Sequence, residues 1–305
     1  MPTPSEPRGR GGWAAKADRP RRSVFENYRA EAPCRNDREP DASDQSRRGT
    51  PAPADPATLQ RARDLALARS FLHRYLAQAY EHPTPEGWAW LGDAGTRPMI
   101  AAASETAGIG AWDNSVFRGR DFESFHDAYI TAFGHAARGG CPSNEIEYGD
   151  LNADVLFQPH RLADLAAFYR AFGLEVAESA GERQDHISVE LEFMCVLAAK
   201  EAYALTHGLE AGLVEQCREA QKKFLREHLG RWVPAFTRRL AAGTNEPSLR
   251  ALAELTRAFI ESECGRFGVR PGSEDLPLRP VDEAAESLCA SCGLANPPPG
   301  APAGT

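Results

Sequence analysis

The sequence has no apolar run close to the roughly 20 residues that a helix needs to cross a bilayer, so we predict no membrane insertion. It has no excess of positive charge either. The formal net charge is −8, and a chain of that sign gains no attraction from the phosphates of nucleic acid. Among catalytic motifs, the Gly-x-Ser-x-Gly elbow, the P-loop and a strand-linked Gly-x-Gly-x-x-Gly turn are missing. We therefore predict no enzymatic activity, no bound cofactor and no nucleic-acid partner.

Cysteine is scarce and does not suggest a disulfide framework. The seven cysteines are an odd number, scattered along a chain without a signal peptide, which favours free thiols in a reducing compartment. Residues 21–25, RRSVF, resemble the twin-arginine export signature. An exported chain carries an apolar stretch next, whereas ENYRAE follows here. We therefore predict a cytoplasmic protein.

The first 55 residues differ in composition from the rest. They are rich in Pro, Gly, Arg, Asp and Ser and contain eleven basic and nine acidic residues, so this arm carries +2 and the remainder −10. Such a segment cannot bury enough apolar surface to offset the entropy of ordering it. We predict that residues 1–55 are disordered.

Apolar residues recur at helical spacing through most of the remaining chain, and no stretch alternates with a period of two. This pattern predicts an all-α protein with a single helical-bundle domain at 56–268 and a loose, Pro-rich tail at 269–305. Asp55 before Pro56, Thr84 before Pro85 and Asp121 before Phe122 are typical helix starts. The predicted helices cover 56–82, a short helix from Pro85 with Trp88 and Trp90, 122–133, 158–172, 186–207, 211–229, 231–242 and 247–267.

Two regions depart from this regularity. Residues 134–157 form a long connection that contains GGCP and EIEY, and long loops inside compact domains are more often functional or mobile than neutral. In the tail, Cys289 and Cys292 have the spacing of half a metal or redox site, which Cys264 or a second chain would complete. Two idle thiols in a solvated tail explain the pair equally well. A small metal or redox protein is therefore the alternative function.

The most informative segment is 185–194, DHISVELEFM. Asp185 is a plausible N-cap, and the helix that follows is apolar nearly all round, so it should lie at the centre of the bundle. His186 and Glu190 are four residues apart on it, and ionisable residues on a buried helix need partners or a purpose. A capping and hydrogen-bond network, a metal pair without a third ligand, and a binding cleft at the helix start all remain open.

Four stretches resemble the TorD/DmsD family of cytoplasmic chaperones for molybdenum-containing redox enzymes. Residues 125–133 look like the family's helix before its long loop, and 141–149, CPSNEIEYG, are similar to its P-x-x-E-x-x-Y loop. Residues 165–174 look like its Y-x-x-F-G-L helix end, and 185–194 match its D-H-x-x-x-E-L-x-F-M segment. The chain departs from the family at Arg183 and Gln184, where a proline is common, and at Asn144, where an aromatic is common.

The resemblance implies an all-helical chaperone without enzymatic activity. Its partners would be the apo catalytic subunit of a molybdenum oxidoreductase and its twin-arginine signal peptide, held until the molybdopterin cofactor is inserted. The acidic residues Glu147 and Glu192 join Glu145 and Glu190 as candidates for steering a basic client toward an apolar groove. The candidate client-binding residues are Asp185, His186, Glu190, Pro142, Glu145, Tyr148 and Tyr169.

Overall fold

The predicted all-α fold is confirmed. The computed structural model describes residues 23–25, 55–117, 121–134, 139–149, 157–177 and 180–280. Within these ranges the backbone forms nine α-helices, one 3₁₀ turn at Asn114–Phe117 and another at Glu145–Glu147, with isolated β-bridges in place of a sheet. The helices are α1 Pro56–Tyr80, α2 Pro85–Leu91, α3 Thr96–Thr106, α4 Phe122–Phe133, α5 Phe157–Ala171, α6 Ile187–Thr206, α7 Ala211–Glu227, α8 Leu229–Gly243 and α9 Pro247–Phe267.

The three predicted helix starts are confirmed in atomic detail. The side chain of Asp55 accepts a hydrogen bond from the backbone N–H at the third residue of α1, and Thr84 and Asp121 do the same for α2 and α4. Helix α3 was missed. Its sequence, TRPMIAAASET, offers few large apolar residues, and Gly95 before it provides no side-chain cap, so neither periodicity nor a start signal indicates a helix.

Helix α6 lies at the centre of the bundle, as its composition predicted. It packs along α1 in the most extensive helix contact of the fold and also packs against α7. Both of its faces are buried, so Ile187 and Leu191 on one side and Val189 and Phe193 on the other are inaccessible to solvent. No helix in the described ranges is long and apolar enough to span a bilayer.

A buried ion-pair network joins the four helices α1, α6, α7 and α9. Arg69 on α1 donates to Glu263 on α9 at 2.7 and 2.6 Å, to Glu201 on α6 at 3.1 Å and to Gln221 on α7 at 2.5 Å. His73, one turn along α1, lies 3.3 Å from the same Glu263 carboxylate. The arginine is fully enclosed, and its five donors in a planar fork suit several acceptors at once.

The segment after α9 packs on the domain, which differs from the loose tail expected for 269–305. Gly272 N donates to the Gly230 carbonyl at 2.9 Å. That carbonyl is available because Pro234, inside α8, has no N–H to offer it. Farther along, Gly149 N donates to Pro277 O at 3.0 Å and Arg279 N to Glu147 O at 2.8 Å. Residues 277–279 therefore run beside the loop at 139–149.

Three residues of the N-terminal arm also pack on the domain. Val24 and Phe25 are each only 2% exposed, and Ala177 N donates to the Val24 carbonyl at 2.8 Å. The prediction of disorder for 1–55 is therefore wrong for residues 23–25. The three residues are ordered because the side chains of Val24 and Phe25 are buried in a groove of the domain. Apart from Asp55, which caps α1, the remainder of the arm lies outside the described residues.

Candidate client-binding site

The loop at 139–149 and the start of α6 form one junction. Asn144 and His186 make an isolated antiparallel bridge. Glu145 N donates to the Asp185 carbonyl at 2.9 Å, and Ile187 N donates to the Ser143 carbonyl at 2.9 Å. Two segments that were singled out separately in the sequence are thus joined by backbone hydrogen bonds.

Asp185 fastens this junction and does not cap the helix, so the predicted N-cap role is wrong. Its carboxylate accepts from Arg183 at 2.9 and 2.8 Å, from Asn144 Nδ2 at 3.3 Å and from Ile146 N at 3.3 Å. The N-cap is His186, one residue later. Asp185 is fully buried, and its oxygens are used by the loop in preference to the helix.

His186 is buried at the N-terminus of α6. Its Nδ1 accepts from Ser188 N at 3.3 Å and lies 2.7 Å from Ser188 Oγ, while Nε2 is 3.6 Å from a Glu182 carboxylate oxygen. Burial lowers the pKa of His186 to about 3, and the nearby Arg183 charge adds to this. The imidazole is therefore neutral at physiological pH and acts as a cap.

Glu190 lies one turn farther along α6 in a closed environment. One carboxyl oxygen accepts from Trp232 Nε1 at 3.1 Å, and the other has no hydrogen-bond partner among the described residues. Burial raises the pKa of Glu190 well above its usual value, and the negative charge of Glu145 raises it further. Both effects favour the protonated form of Glu190 over the ionised form.

Glu145 is the opposite case, a buried carboxylate that keeps its charge. Burial alone would raise its pKa, but His228 Nδ1 at 2.9 Å and Arg231 Nη2 at 3.0 Å, with Arg161 at 3.8 Å, lower it overall. His228 occupies the break between α7 and α8. Its Nε2 lies 3.3 Å from Asp164 without hydrogen-bond geometry. Glu145 thus ties the loop to three helices.

The remaining candidate residues hold the backbone around the junction. Tyr148 Oη donates to the Pro142 carbonyl at 2.7 Å, and its ring packs on Trp232 with centroids 5.1 Å apart. Tyr169 Oη donates to the Gln184 carbonyl at 2.7 Å, just before Asp185. Both hydroxyls are therefore used to shape the chain on either side of the junction.

All seven candidate client-binding residues belong to this junction or its immediate support, and all seven are buried. In this conformation they position backbone and do not face solvent. The surface over them is formed by neighbours, above all Arg183, whose side chain is 52% exposed, with Ser143, Asn144 and Glu147 half-buried. Any direct contact with a client requires the loop to move.

Three partners at this junction are not indicated by the sequence. Glu145 contacts His228 and Arg231, which are more than 80 residues away in sequence. Glu190 contacts Trp232, which is 42 residues away. The sequence predicts helices at 211–229 and 231–242, whereas the observed break between α7 and α8 falls at His228. Nothing in spacing alone pairs it with a loop glutamate.

The expected role of four glutamates in charge steering is largely wrong. Glu145, Glu190 and Glu192 are buried, and Glu192 accepts from Ser23 Oγ at 2.5 Å. Glu147 alone of the four is partly exposed. Because these three acids are buried and accept hydrogen bonds from donors within the chain, they are not rim charges that a client meets first.

The metal hypothesis gains no support from the described part of the chain. No group of three or more His, Cys, Asp or Glu residues that could hold a metal ion occurs there. The His186–Glu190 pair is engaged with Ser188 and Trp232. Cys264 is buried at the end of α9, and burial raises the pKa of its thiol to about 11, whereas a metal ligand must be a thiolate. Cys289 and Cys292 lie outside the described residues.

The raised pKa of Glu190 leads to a pH-dependent prediction. Because the pKa is higher in the folded than in the unfolded state, the stabilising contribution is complete below the unfolded pKa and is lost as pH rises through the folded pKa. Glu190→Gln keeps the shape and an acceptor for Trp232 without titrating. We expect chemical denaturation to show similar stability at pH 5 and an advantage of about 1 kcal/mol or more for Glu190→Gln at pH 8.

The matched control is Glu254→Gln on the exposed face of α9, which should track the natural chain at both pH values. A pH-independent difference between Glu190→Gln and the natural chain would mean that Glu190 is ionised in the folded state.

The chain is similar in sequence to a family model and to several known proteins. A family model described as nitrate reductase delta subunit matches residues 100–238. The dimethyl sulfide dehydrogenase assembly chaperone protein of Rhodovulum sulfidophilum is 31% identical over 73% of this chain and 91% of its own length. The chlorate reductase assembly chaperone protein of Ideonella dechloratans is 32% identical over 68% and 92%.

A chaperone protein TorD of Vibrio cholerae matches a shorter part, 32% identical over 39% of this chain and 52% of its own. These relatives are named as chaperones and not as catalysts, and the resemblance seen in the loop and α6 motifs is confirmed. The chain belongs to the TorD-like family of assembly chaperones for molybdenum redox enzymes.

Proposed function

We propose that this chaperone binds the apo catalytic subunit of a molybdenum oxidoreductase in the cytoplasm, together with the twin-arginine signal peptide of that subunit, until the molybdopterin cofactor is inserted. The relatives support a reductase or dehydrogenase subunit as partner, because their names couple assembly to such enzymes. The observation that carries the site is the junction between the loop at 139–149 and the start of α6.

The junction suits reversible binding because its hydrogen bonds are of a kind that another chain can supply. The loop is held by backbone groups of Ser143, Asp185 and Ile187 and by the Asp185 carboxylate. An extended client segment offers the same N–H and C=O groups, so it can replace the backbone hydrogen bonds of the loop at little net cost. The ion pairs of Glu145 must be released in the same step. We infer that the client enters beside α6 when the loop at 139–149 moves outward.

In this scheme His186 affects client binding indirectly, because it caps α6 and fixes the conformation of the helix start. Its neutral ring caps α6 and meets Ser188, and it has no charge to offer a guanidinium. The exposed Arg183 and the half-buried Glu147 lie over the junction and would be met first. Affinity should therefore depend on His186 without a direct charge–charge contact.

Replacing His186 with Ala should weaken capture of the client about tenfold, equivalent to about 1.4 kcal/mol. Fold stability should fall by only about 1 kcal/mol, the usual cost of a lost cap. The client is first identified as the oxidoreductase subunit that co-purifies with the tagged chaperone from its native cells. That subunit, prepared without cofactor, is then titrated against each variant.

Two variants complete this test. His186→Asn retains an acceptor for Ser188 N and should recover most of the affinity, since a positioning role needs a cap and not an imidazole. His207→Ala, at the other end of α6, is exposed and should bind as the natural chain does. Unchanged affinity in folded His186→Ala would contradict the site, and recovery of no molybdenum oxidoreductase subunit would contradict the function.

A further inference from the structure

A groove beside α6 is filled by the chain's own N-terminal arm. Ser23 Oγ donates to Glu192 Oε1 at 2.5 Å, and Val24 N lies 3.4 Å from the other oxygen of the same carboxylate. The Val24 carbonyl accepts from Ala177 N at 2.8 Å, and Phe25 and Val176 form an antiparallel bridge. This arm segment, residues 23–25, is thus held as an added strand along the chain that follows α5.

Phe25 inserts into an aromatic pocket between two helices. Its ring meets the edge of Tyr169 on α5 with centroids 5.2 Å apart and lies 6.4 Å from Phe193 on α6. Phe25 itself is 2% exposed, and among the described residues Leu59 is the one large apolar side chain that is well exposed. The apolar surface that the domain offers here is therefore covered by the arm.

The way in which the arm segment is held makes it replaceable. Its main contacts are backbone hydrogen bonds, one acidic acceptor for a hydroxyl, and one pocket for an aromatic ring. Such strand addition takes affinity from the main chain and specificity from alternate side chains. Any extended segment with a large apolar residue at the position of Phe25 meets the same requirements.

The sequence of the arm indicates which type of segment could replace residues 23–25 in the groove. The docked residues are the last three of RRSVF, the stretch that resembles a twin-arginine signature. Glu192 stands at the end of the groove where the residue after the arginine pair docks. A segment that continues from two arginines into apolar residues therefore fits both the register and the chemistry of this groove.

We propose that the groove formed by Tyr169, Val176, Phe193 and Glu192 binds the stretch that follows the arginine pair of a client signal peptide, and that residues 23–25 occupy it as an internal competitor until the client arrives. The proposal rests on the signal-peptide part of the proposed function. It assigns the arm a role in regulation, because a tethered competitor lowers the apparent affinity by the fraction of time for which the groove is free.

The test uses the full chain and a synthetic fluorescent peptide in which RRSVF is followed by ten alternating Leu and Ala residues. Phe25→Ala removes the ring from the pocket without changing the groove itself. If the arm fills the groove about nine-tenths of the time, Phe25→Ala should bind the peptide about tenfold more tightly than the natural chain. The matched control, Trp13→Ala in the same arm, should bind as the natural chain does.

A second measurement follows the groove directly. Hydrogen exchange at the Ala177 amide should be slow in the natural chain, fast in Phe25→Ala, and slow again when the peptide is added to Phe25→Ala. In the Phe25→Ala background, Glu192→Ala should weaken peptide binding, and a peptide with Ala in place of its Phe should not bind measurably.

Equal peptide affinity for Phe25→Ala and the natural chain would overturn the competitor proposal, and so would peptide binding that leaves Ala177 exchange unchanged. If the peptide binds neither chain, the groove is a structural seat for the arm and the proposal fails. Capture of the apo catalytic subunit by the full chaperone is measured separately and would still stand, which separates this failure from a failure of the proposed function.

Discussion

Replacing Arg69 with Ala should lower the free energy of unfolding by about 3–5 kcal/mol, the usual cost of removing one partner from a buried ion pair. The guanidinium bridges Glu263 and Glu201 and also binds Gln221, so its loss leaves two buried carboxylates without their shared cation. Glu201 retains Arg218 at 2.7 Å, whereas Glu263 retains His73 and Arg266 at longer distances. Urea denaturation followed by circular dichroism measures the loss.

The matched control is Arg63→Ala on the same helix, which should change stability by less than about 1 kcal/mol. Arg63 is partly exposed, and among the described residues its salt-bridge partner is its neighbour Asp64. The natural chain should also lose stability in acid. Burial raises the pKa of Glu263, but Arg69 and His73 outweigh it and lower the pKa to about 2. The contribution of this carboxylate is therefore present above the unfolded pKa and is lost as pH falls toward 2. Equal losses in Arg69→Ala and Arg63→Ala would show that the network adds no stability.

The helices of this protein were largely predictable because each has a local cause. Helix α9 has the predicted bounds, and α6 begins and ends within one residue of its prediction. Both have an apolar pattern and a recognisable boundary. Helix α3 was missed because small residues and a glycine before the first turn leave no periodic signal. A helix is therefore predictable from local sequence where large apolar side chains recur at helical spacing.

The long-range polar contacts were not predictable in this way. Glu145 was selected as a client-facing residue from its loop motif, yet it points inward to His228, which is 83 residues away in sequence. The same is true of Glu190 and Trp232. A motif indicates that residues matter but not which way they face, since a buried polar network and an exposed site use the same residue types.

In the N-terminal arm, composition predicts disorder for a segment that contains three packed residues. Composition over 55 residues predicted disorder, and composition is an average that three residues barely change. Val24 and Phe25 are nevertheless buried, because a groove with one acid and two aromatic rings is complementary to them. Only the three-dimensional groove, built from α5 and α6, reveals that this short stretch has a docking site.

Among the side chains of the loop at 139–149, Glu145 should contribute most to holding the loop on the domain. Glu145→Ala leaves the buried His228 and the partly buried Arg231 around an empty position, so we expect the free energy of unfolding to fall by about 3–5 kcal/mol. Glu145→Gln keeps the shape and should lose less, because the amide oxygen still accepts one of these donors. Thermal and urea denaturation measure the two losses.

Hydrogen exchange shows whether the loss is local. In Glu145→Ala the amides of Ile146 and Ile187, which are bonded across the junction, should exchange faster than they do in the natural chain. The matched control is Glu147→Ala, two residues along the same loop and only partly buried, where the backbone bond to Arg279 is retained and exchange should change little. Equal exchange in the two variants would mean that backbone bonds alone close the loop. Faster exchange confined to Glu145→Ala would identify its carboxylate as the lock that a client must release.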